Sequence, residues 1–468
     1  MDLISSRLAE FRKRFEDSGE PLRVSFRSLC SEYSWAKRSE AYTHLMHKYP
    51  AKILPYIPIF FLSSETYAGQ DELVLDNFAG TGTVLLESII HPHLKRNAIG
   101  VEINPLARLI AKVKTTPLRM DKLRGETKSL ISRAESFSGD AEIPKFPNRD
   151  LWFSKRIQAE LAKIRRCIED VEDSDFRDFF LVCFSNIIRE VSFADPKIAP
   201  PVILKPEHFS KNPERQHEMA ALLRRKKWAR PLSYFVRAVA RNMKRVETLN
   251  SVDELRSKKV EAEIIWDDAR ELKRGRLIAN GKIDKSNAEP LRNGCIGLVI
   301  TSPPYINAQK YIRTTKFELF WLGLVTEEEL PALDRMFVGT ERVFSNEYGE
   351  LCLTGVQSAD SVIQRIYERN KERASIVSRY FNDMRQVIGE THRVLKKGGR
   401  FVLVVGDNTI CGLTVESHRI LADIATQDSG FEVETVLVDK IRSRGMITKR
   451  HETGGMVLDD WVIILQKR

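Results

Sequence analysis

The sequence predicts an α/β chain: a mixed, mostly parallel seven-stranded sheet with helices on both faces, interrupted by a mainly helical insertion. Short apolar runs recur along the chain, each closes on Gly, Asp or Pro, and a helical pattern then opens. This punctuation marks a parallel sheet that keeps its ligands at the strand ends.

The first run lies in ELVLDNFAGTGTVLLESII, residues 72–90. Residues 73–75 read as a buried strand, 76–82 as a glycine-bearing turn, and Thr83 onward as a helix. Gly80 and Gly82 let the backbone pass close to a ligand and tighten the turn. NAIGVEINPLARLIAKVK follows, with a strand over 98–101, Glu102 at its end and a helix from near Pro105. An acid about 20 residues beyond a glycine turn is placed to accept hydrogen bonds from two ribose hydroxyls. Read as structure alone, Glu102 is a carboxylate favoured by a helix start. EAEIIWDDAREL ends a third strand on Asp267 and Asp268, where a carboxylate can accept a hydrogen bond from an exocyclic amine such as adenine's. IGLVITSPPY and GGRFVLVVGDN give the fourth and fifth strands, and FEVETVLVDKI with DDWVIILQKR a terminal pair.

The turn TSPPY, 301–305, ends the fourth strand. Pro303 and Pro304 have fixed φ and no N–H, which leaves carbonyl oxygens outward as acceptors. Ser302 adds a hydroxyl and Tyr305 a flat face, so the corner can grip a planar group carrying an NH2. Stacking of a nucleobase on the tyrosine is worth roughly 1–3 kcal/mol. An aromatic amine is a poor nucleophile because its lone pair is delocalised. Hydrogen bonds that draw its protons out of plane free that pair. The structural alternative is a plain proline-led β-turn.

The totals fit an enzyme-sized globular chain of 468 residues. Lys plus Arg number 75 against 64 Asp plus Glu, a net +11 that favours polyanionic partners or simply a solvated surface. The six cysteines show no CxxC spacing, so neither disulfides nor a metal site is expected, and a reducing cytoplasm is. No apolar run reaches membrane-spanning length, and the N-terminal stretch has no apolar signal core.

Taken together, HKYPAKILP (47–55), DNFAGTGT (76–83), VEINPLA (101–107), WDDAREL (266–272) and TSPPY (301–305) resemble the S-adenosylmethionine-dependent DNA amino-methyltransferases of the cytosine-N4 and adenine-N6 type. The resemblance covers about two thirds of the chain and implies a class I methyltransferase (Rossmann-like) domain. It implies S-adenosylmethionine as cofactor, held by Tyr49, Pro50, Ala51, Lys52, Asp76, Phe78, Ala79, Gly80, Thr81, Gly82, Thr83, Glu102, Ile103, Asn104, Asp268 and Ala269. The catalytic residues it implies are Ser302, Pro303, Pro304 and Tyr305, with no metal. A serine in the first catalytic position resembles the cytosine-N4 branch. The implied activity is site-specific DNA methylation, acting on cytosine N4 of a base flipped out of double-stranded DNA in the cytoplasm, with a cognate restriction endonuclease admitted as partner. Adenine N6, an RNA base, a protein glutamine, or a catalytically silent nucleic-acid-binding subunit stay open as alternatives.

Residues 1–117 then carry the cofactor loop and 261–468 the catalytic turn. Residues 118–260 form a helical insertion and the candidate DNA-recognition region, and a smaller insertion spans about 323–380. Arg224, Arg225, Lys226, Lys227 and Arg230 cluster near Trp228, a mixture suited to phosphate contact and stacking. Asn307, Lys310 and Arg313 beside the catalytic turn, and Arg442, Arg444, Lys449 and Arg450 near the end, are further candidate DNA contacts.

Overall fold

Alternating side chains divide each central strand between two apolar faces, and those faces organise the molecule. The computed structural model describes residues 3–31, 41–49, 52–306, 311–344, 348, 351–441 and 457–468. Its strands are β1 (Leu22–Val24), β2 (Val74–Asp76), β3 (Ala98–Val101), β4 (Ala262–Trp266), β5 (Lys273–Leu277), β6 (Ile283–Pro290), β7 (Ile296–Thr301), β8 (Leu395–Val405), β9 (Asn408–Ile410), β10 (Leu413–Val415), β11 (Phe431–Lys440) and β12 (Asp459–Lys467). The central sheet runs β1-β11-β12-β8-β7-β2-β3-β4, and β5–β6 and β9–β10 are separate pairs. β12 is antiparallel to both neighbours, and every other pairing in the central sheet is parallel.

The mostly parallel sheet matches the expectation, but it has eight strands where seven were expected. The addition is β1, whose three residues pair with β11 at the sheet edge. A strand that short carries no legible period of two.

Leu75, Val299, Leu403 and Ile463 face one core, filled by helices Gln357–Tyr367, Lys371–Val394 and Ser417–Ser429. Their neighbours Val74, Ile300, Val404 and Ile464 face the other, against Leu3–Ser18, Tyr56–Leu62 and Thr83–Ile90. In the first of these helices Ile4, Leu8 and Phe11 recur at helical spacing and are buried.

Between β3 and β4 the longer helices are Met120–Ser136, Lys155–Glu169, Ser174–Val191, Pro213–Lys227 and Pro231–Leu249. Ser154, Asp173 and Asn212 start three of them by accepting from backbone N–H groups of the first turn. The stripes Leu161, Ile164, Ile168 and Phe179, Val182, Ile187 are buried together, in a cluster that also holds Leu109 and Phe317. Among the described residues no helix is long and apolar enough to cross a membrane.

Strand order steps away in opposite directions from β2 and β7. Their C-terminal ends therefore flank the crevice where ligands bind in open α/β sheets.

Candidate functional site

A cleft of about 620 Å³ opens at that crevice, lined from the ends of β2, β3, β4, β7 and β11 and the start of β12. The glycine turn and the SPPY corner both line it, so the two motifs found separately along the chain form walls of one space.

Their junction is a hydrogen bond. The hydroxyl of Thr301, last residue of β7, donates to Asp76 Oδ1 at the end of β2 over 2.6 Å. The Phe78 N–H approaches both Asp76 Oδ1 and Thr301 Oγ1 at 3.1 Å, which fixes the start of the turn. Burial lifts the Asp76 carboxyl to about 7; the Thr301 and Phe78 hydrogen bonds oppose the shift and nearby Glu102 adds to it.

Gly80 and Gly82 adopt φ of +51° and +72°, a left-handed backbone that costs other residues about 1–2 kcal/mol. A Cβ at Gly82 would also lie 3.0 Å from the Cβ of Ala111, so this glycine sets how closely helix Thr83–Ile90 packs on Pro105–Thr115.

Glu102 projects from the end of β3. Its Oε2 accepts from the Gly80 N–H at 2.8 Å and its Oε1 from the Asn104 N–H at 2.7 Å. Each oxygen keeps a lone pair for another donor. Burial raises this carboxyl, against the pull of those two N–H groups. Asn104 does not line the cleft; it caps the next helix and donates to the Tyr49 hydroxyl at 3.0 Å.

The two acids after β4 differ. Asp268 is gripped by Arg270, whose Nε and Nη2 both stand 2.9 Å from its oxygens. Asp267 pairs with Lys285 through Oδ2 at 2.8 Å, while its buried Oδ1 has no hydrogen-bond partner. Thr81 Oγ1 is likewise buried without a partner. Both residues line the cleft, and their unsatisfied oxygens call for polar groups of a ligand.

Of the remaining residues anticipated for the cofactor, Tyr49, Lys52, Phe78, Ala79, Thr83, Ile103 and Ala269 line the cleft and Gly82 does not. Pro50 and Ala51 lie outside the described residues. The Lys52 ammonium donates to the His47 carbonyl at 2.9 Å and the His44 carbonyl at 3.3 Å; burial first, then Arg245, lowers it to about 8.

Ser302, Pro303, Pro304 and Tyr305 all line the same cleft. Tyr311 and Phe337 join them with nearly parallel rings, centroids 6.3 Å apart. Phe337 and Asp460 were not anticipated. Asp460 could have been, because a final strand running antiparallel brings its first residues to the rim where parallel strands end.

The basic residues separate. Arg224, Arg225, Lys227 and Arg230 are exposed, as is Arg313, and Trp228 between them is 79% exposed. Lys226 corrects the expectation: it is buried, and its ammonium donates to the carbonyls of Ser192 at 2.7 Å, Glu190 at 3.0 Å and Arg189 at 3.4 Å. Burial lowers it to about 8. It closes the end of helix Ser174–Val191 and cannot reach a phosphate. Asn307, Lys310, Arg442, Arg444, Lys449 and Arg450 lie outside the described residues.

Residues 296–454 match the N6_N4 family model described as DNA methylase. The chain is 24% identical over 400 residues to the Type II methyltransferase M.MvaI of Kocuria varians, an alignment covering 82% of this chain and 80% of that protein. It is 31% identical over 153 residues to the Type II methyltransferase M.AvaI of Nostoc sp., covering 30% and 32%. With the Type II methyltransferase M.MjaII of Methanocaldococcus jannaschii it shares 30% identity over 112 residues, covering 23% and 20%.

Proposed function

We propose that this chain, whose residues 296–454 match the DNA methylase family model of the N4/N6 type, methylates the exocyclic amine of a base rotated out of duplex DNA, cytosine N4 before adenine N6. The observation that carries the reading is the shared cleft. The glycine turn and the SPPY corner face one space and are joined through Thr301 and Asp76.

S-adenosylmethionine, bound on the glycine-turn side, would supply an electrophilic methyl group. The Gly80 backbone admits it closely, and the free lone pairs of Glu102 suit two ribose hydroxyls. The unsatisfied oxygens of Thr81 and Asp267 take its remaining donors. Because Arg270 occupies Asp268, Asp267 is the better placed of the two to meet an adenine amine.

On the other side the Ser302 hydroxyl and the Pro303 carbonyl accept hydrogen bonds from the target amine while Tyr305 stacks on its ring. These contacts hold the amine nitrogen toward the glycine turn and localise its lone pair. Arg224, Arg225, Lys227, Arg230 and Arg313 are the exposed cations proposed to meet the DNA backbone, with Trp228 as a stacking surface. The relatives' description as Type II methyltransferases supports an endonuclease of matching specificity as companion.

Methylation-sensitive sequencing of DNA from cells expressing the protein tests the reading. N4-methylcytosine at one recurring sequence, absent with Ser302→Ala, is the expected result. N6-methyladenine there would establish the second base, which the family description also covers. Label from the cofactor appearing only in RNA would overturn the substrate assignment.

A further inference from the structure

The cleft has an electrostatic problem that its motifs do not solve. Six carboxylates line it: Asp76, Glu102, Asp267, Asp268, Asp439 and Asp460. An extruded nucleotide brings phosphate to such a space and would meet repulsion unless cations stand where the backbone passes. Among the described lining residues the Lys and Arg cations are Arg27, Lys52 and Lys440. Lys52 is committed to the carbonyls of His44 and His47. Arg27 and Lys440 are exposed, and neither forms an ion pair among the described residues.

Their shared edge is built by β1, the strand with no legible period. It pairs in parallel with β11, placing Val24 beside Asp439, and the Phe26 N–H donates to Asp439 Oδ2 at 3.0 Å. Phe26 itself is fully buried, its ring centroid 5.5 Å from that of Phe60 and 5.9 Å from that of Phe61. Arg27 therefore extends from an anchored backbone. Asp439 lies opposite Asp460 in the β11–β12 register, and Asp460 accepts the Tyr305 hydroxyl. From β12 to β1 is two strand spacings, on the order of 10 Å. A base stacked on Tyr305 leaves its own sugar and phosphate to cross that span toward the arginine.

We propose that Arg27 and Lys440 form a phosphodiester-binding site for the backbone of the extruded nucleotide, carried to the cleft by β1 and β11. This rests on the reading of the protein as a DNA methyltransferase. β1 is then a functional addition to the sheet, bringing a cation to a rim otherwise dominated by acids.

The test measures methyl transfer from labelled cofactor to plasmid DNA from a methylation-deficient host, over a series of salt concentrations. Arg27→Ala and Lys440→Ala should each reduce the slope of log kcat/KM against log salt by about 0.9, the share of one phosphate contact. KM for DNA should rise on the order of tenfold, more than kcat changes. Arg27→Lys should keep the wild-type slope, and cofactor affinity by calorimetry should be unchanged in all three. Wild-type slope and KM in both alanine variants would overturn this site while leaving the methyltransferase reading intact. A wild-type protein that binds cofactor yet methylates no DNA would overturn that reading, and this site with it.

Discussion

The phenol of Tyr305 donates to Oδ1 of Asp460 over 2.9 Å, tying the corner after β7 to the beginning of β12. Gly406 lies behind the ring. A Cβ there would come within 2.7 Å of Tyr305 Cε2 and 2.4 Å of Val457 Cγ1. The tyrosine is thus held at its hydroxyl and crowded along one side of its ring. Burial raises the Asp460 carboxyl to about 6, opposed by the Tyr305 bond and reinforced by Asp439 and Asp459.

Methyl transfer should therefore weaken as pH falls through about 6, where Asp460 takes up a proton and loses its stronger acceptor form. Asp460→Asn should lower kcat on the order of tenfold near pH 8 and remove that acid limb. Profiles of kcat against pH for the two proteins decide it; an unchanged limb in the variant would dissociate Asp460 from the tyrosine's function.

Asp76 gives a second pH signature, of opposite sense to the usual carboxylate. Its folded value, about 7, lies above the ordinary one, so the folded state holds the proton longer. Its contribution to stability is intact below about pH 4 and is lost progressively as pH rises from there through 7, at a slope of at most about 1.4 kcal/mol for each tenfold fall in proton concentration. Melting curves of the ligand-free protein from pH 5 to 8 should show this decline, and Asp76→Asn should make it shallower, leaving the share of Asp460. A cationic cofactor favours the ionised carboxyl, so cofactor binding near neutrality should release a proton, visible as a buffer-dependent calorimetric heat.

Ser302→Ala and Tyr305→Ala should cut turnover far more than cofactor affinity, since both residues are proposed to meet the base and not the cofactor. Tyr305→Phe keeps the stacking face but loses the hydrogen bond to Asp460, and should fall between wild type and Tyr305→Ala. Single-turnover kinetics with parallel calorimetry separate the two quantities. Equal losses in both would contradict the assigned sides.

Lys226 and Trp228, two residues apart, should behave oppositely. Lys226→Met leaves three carbonyls without their donor and should cost about 2–4 kcal/mol of stability, with DNA affinity kept in the folded fraction. Trp228→Ala should leave unfolding unchanged and weaken DNA binding by roughly 1–3 kcal/mol if its ring stacks on a base. Denaturant titration and anisotropy with labelled duplex give both values.

What was legible in the sequence was whatever repeats or punctuates. The strands β2, β3, β4, β7, β8, β11 and β12 are apolar runs with sharp ends, and the helical stripes of the insertion recur every three or four residues. β1 was too short to show a period. β5 and β6, reading KRGRL and IDKSNAEP, are charged and largely exposed, so no apolar alternation announces them. Lys226 misled because composition cannot tell an ammonium facing solvent from one sealing a helix end. At the site, the motifs identified the glycine turn and the corner, whereas Asp460, Arg27 and Phe337 depend on which distant segments the sheet brings to its rim.

The reversed direction of β12 has a practical outcome. Its first residues stand at the mouth, so its last ones stand at the far edge, where the Lys467 ammonium holds the His392 carbonyl at 2.6 Å and the Leu395 carbonyl at 2.8 Å. A fluorophore or surface tether attached at that end of β12 would sit away from the cleft. Immobilised molecules would then present their open side to passing DNA.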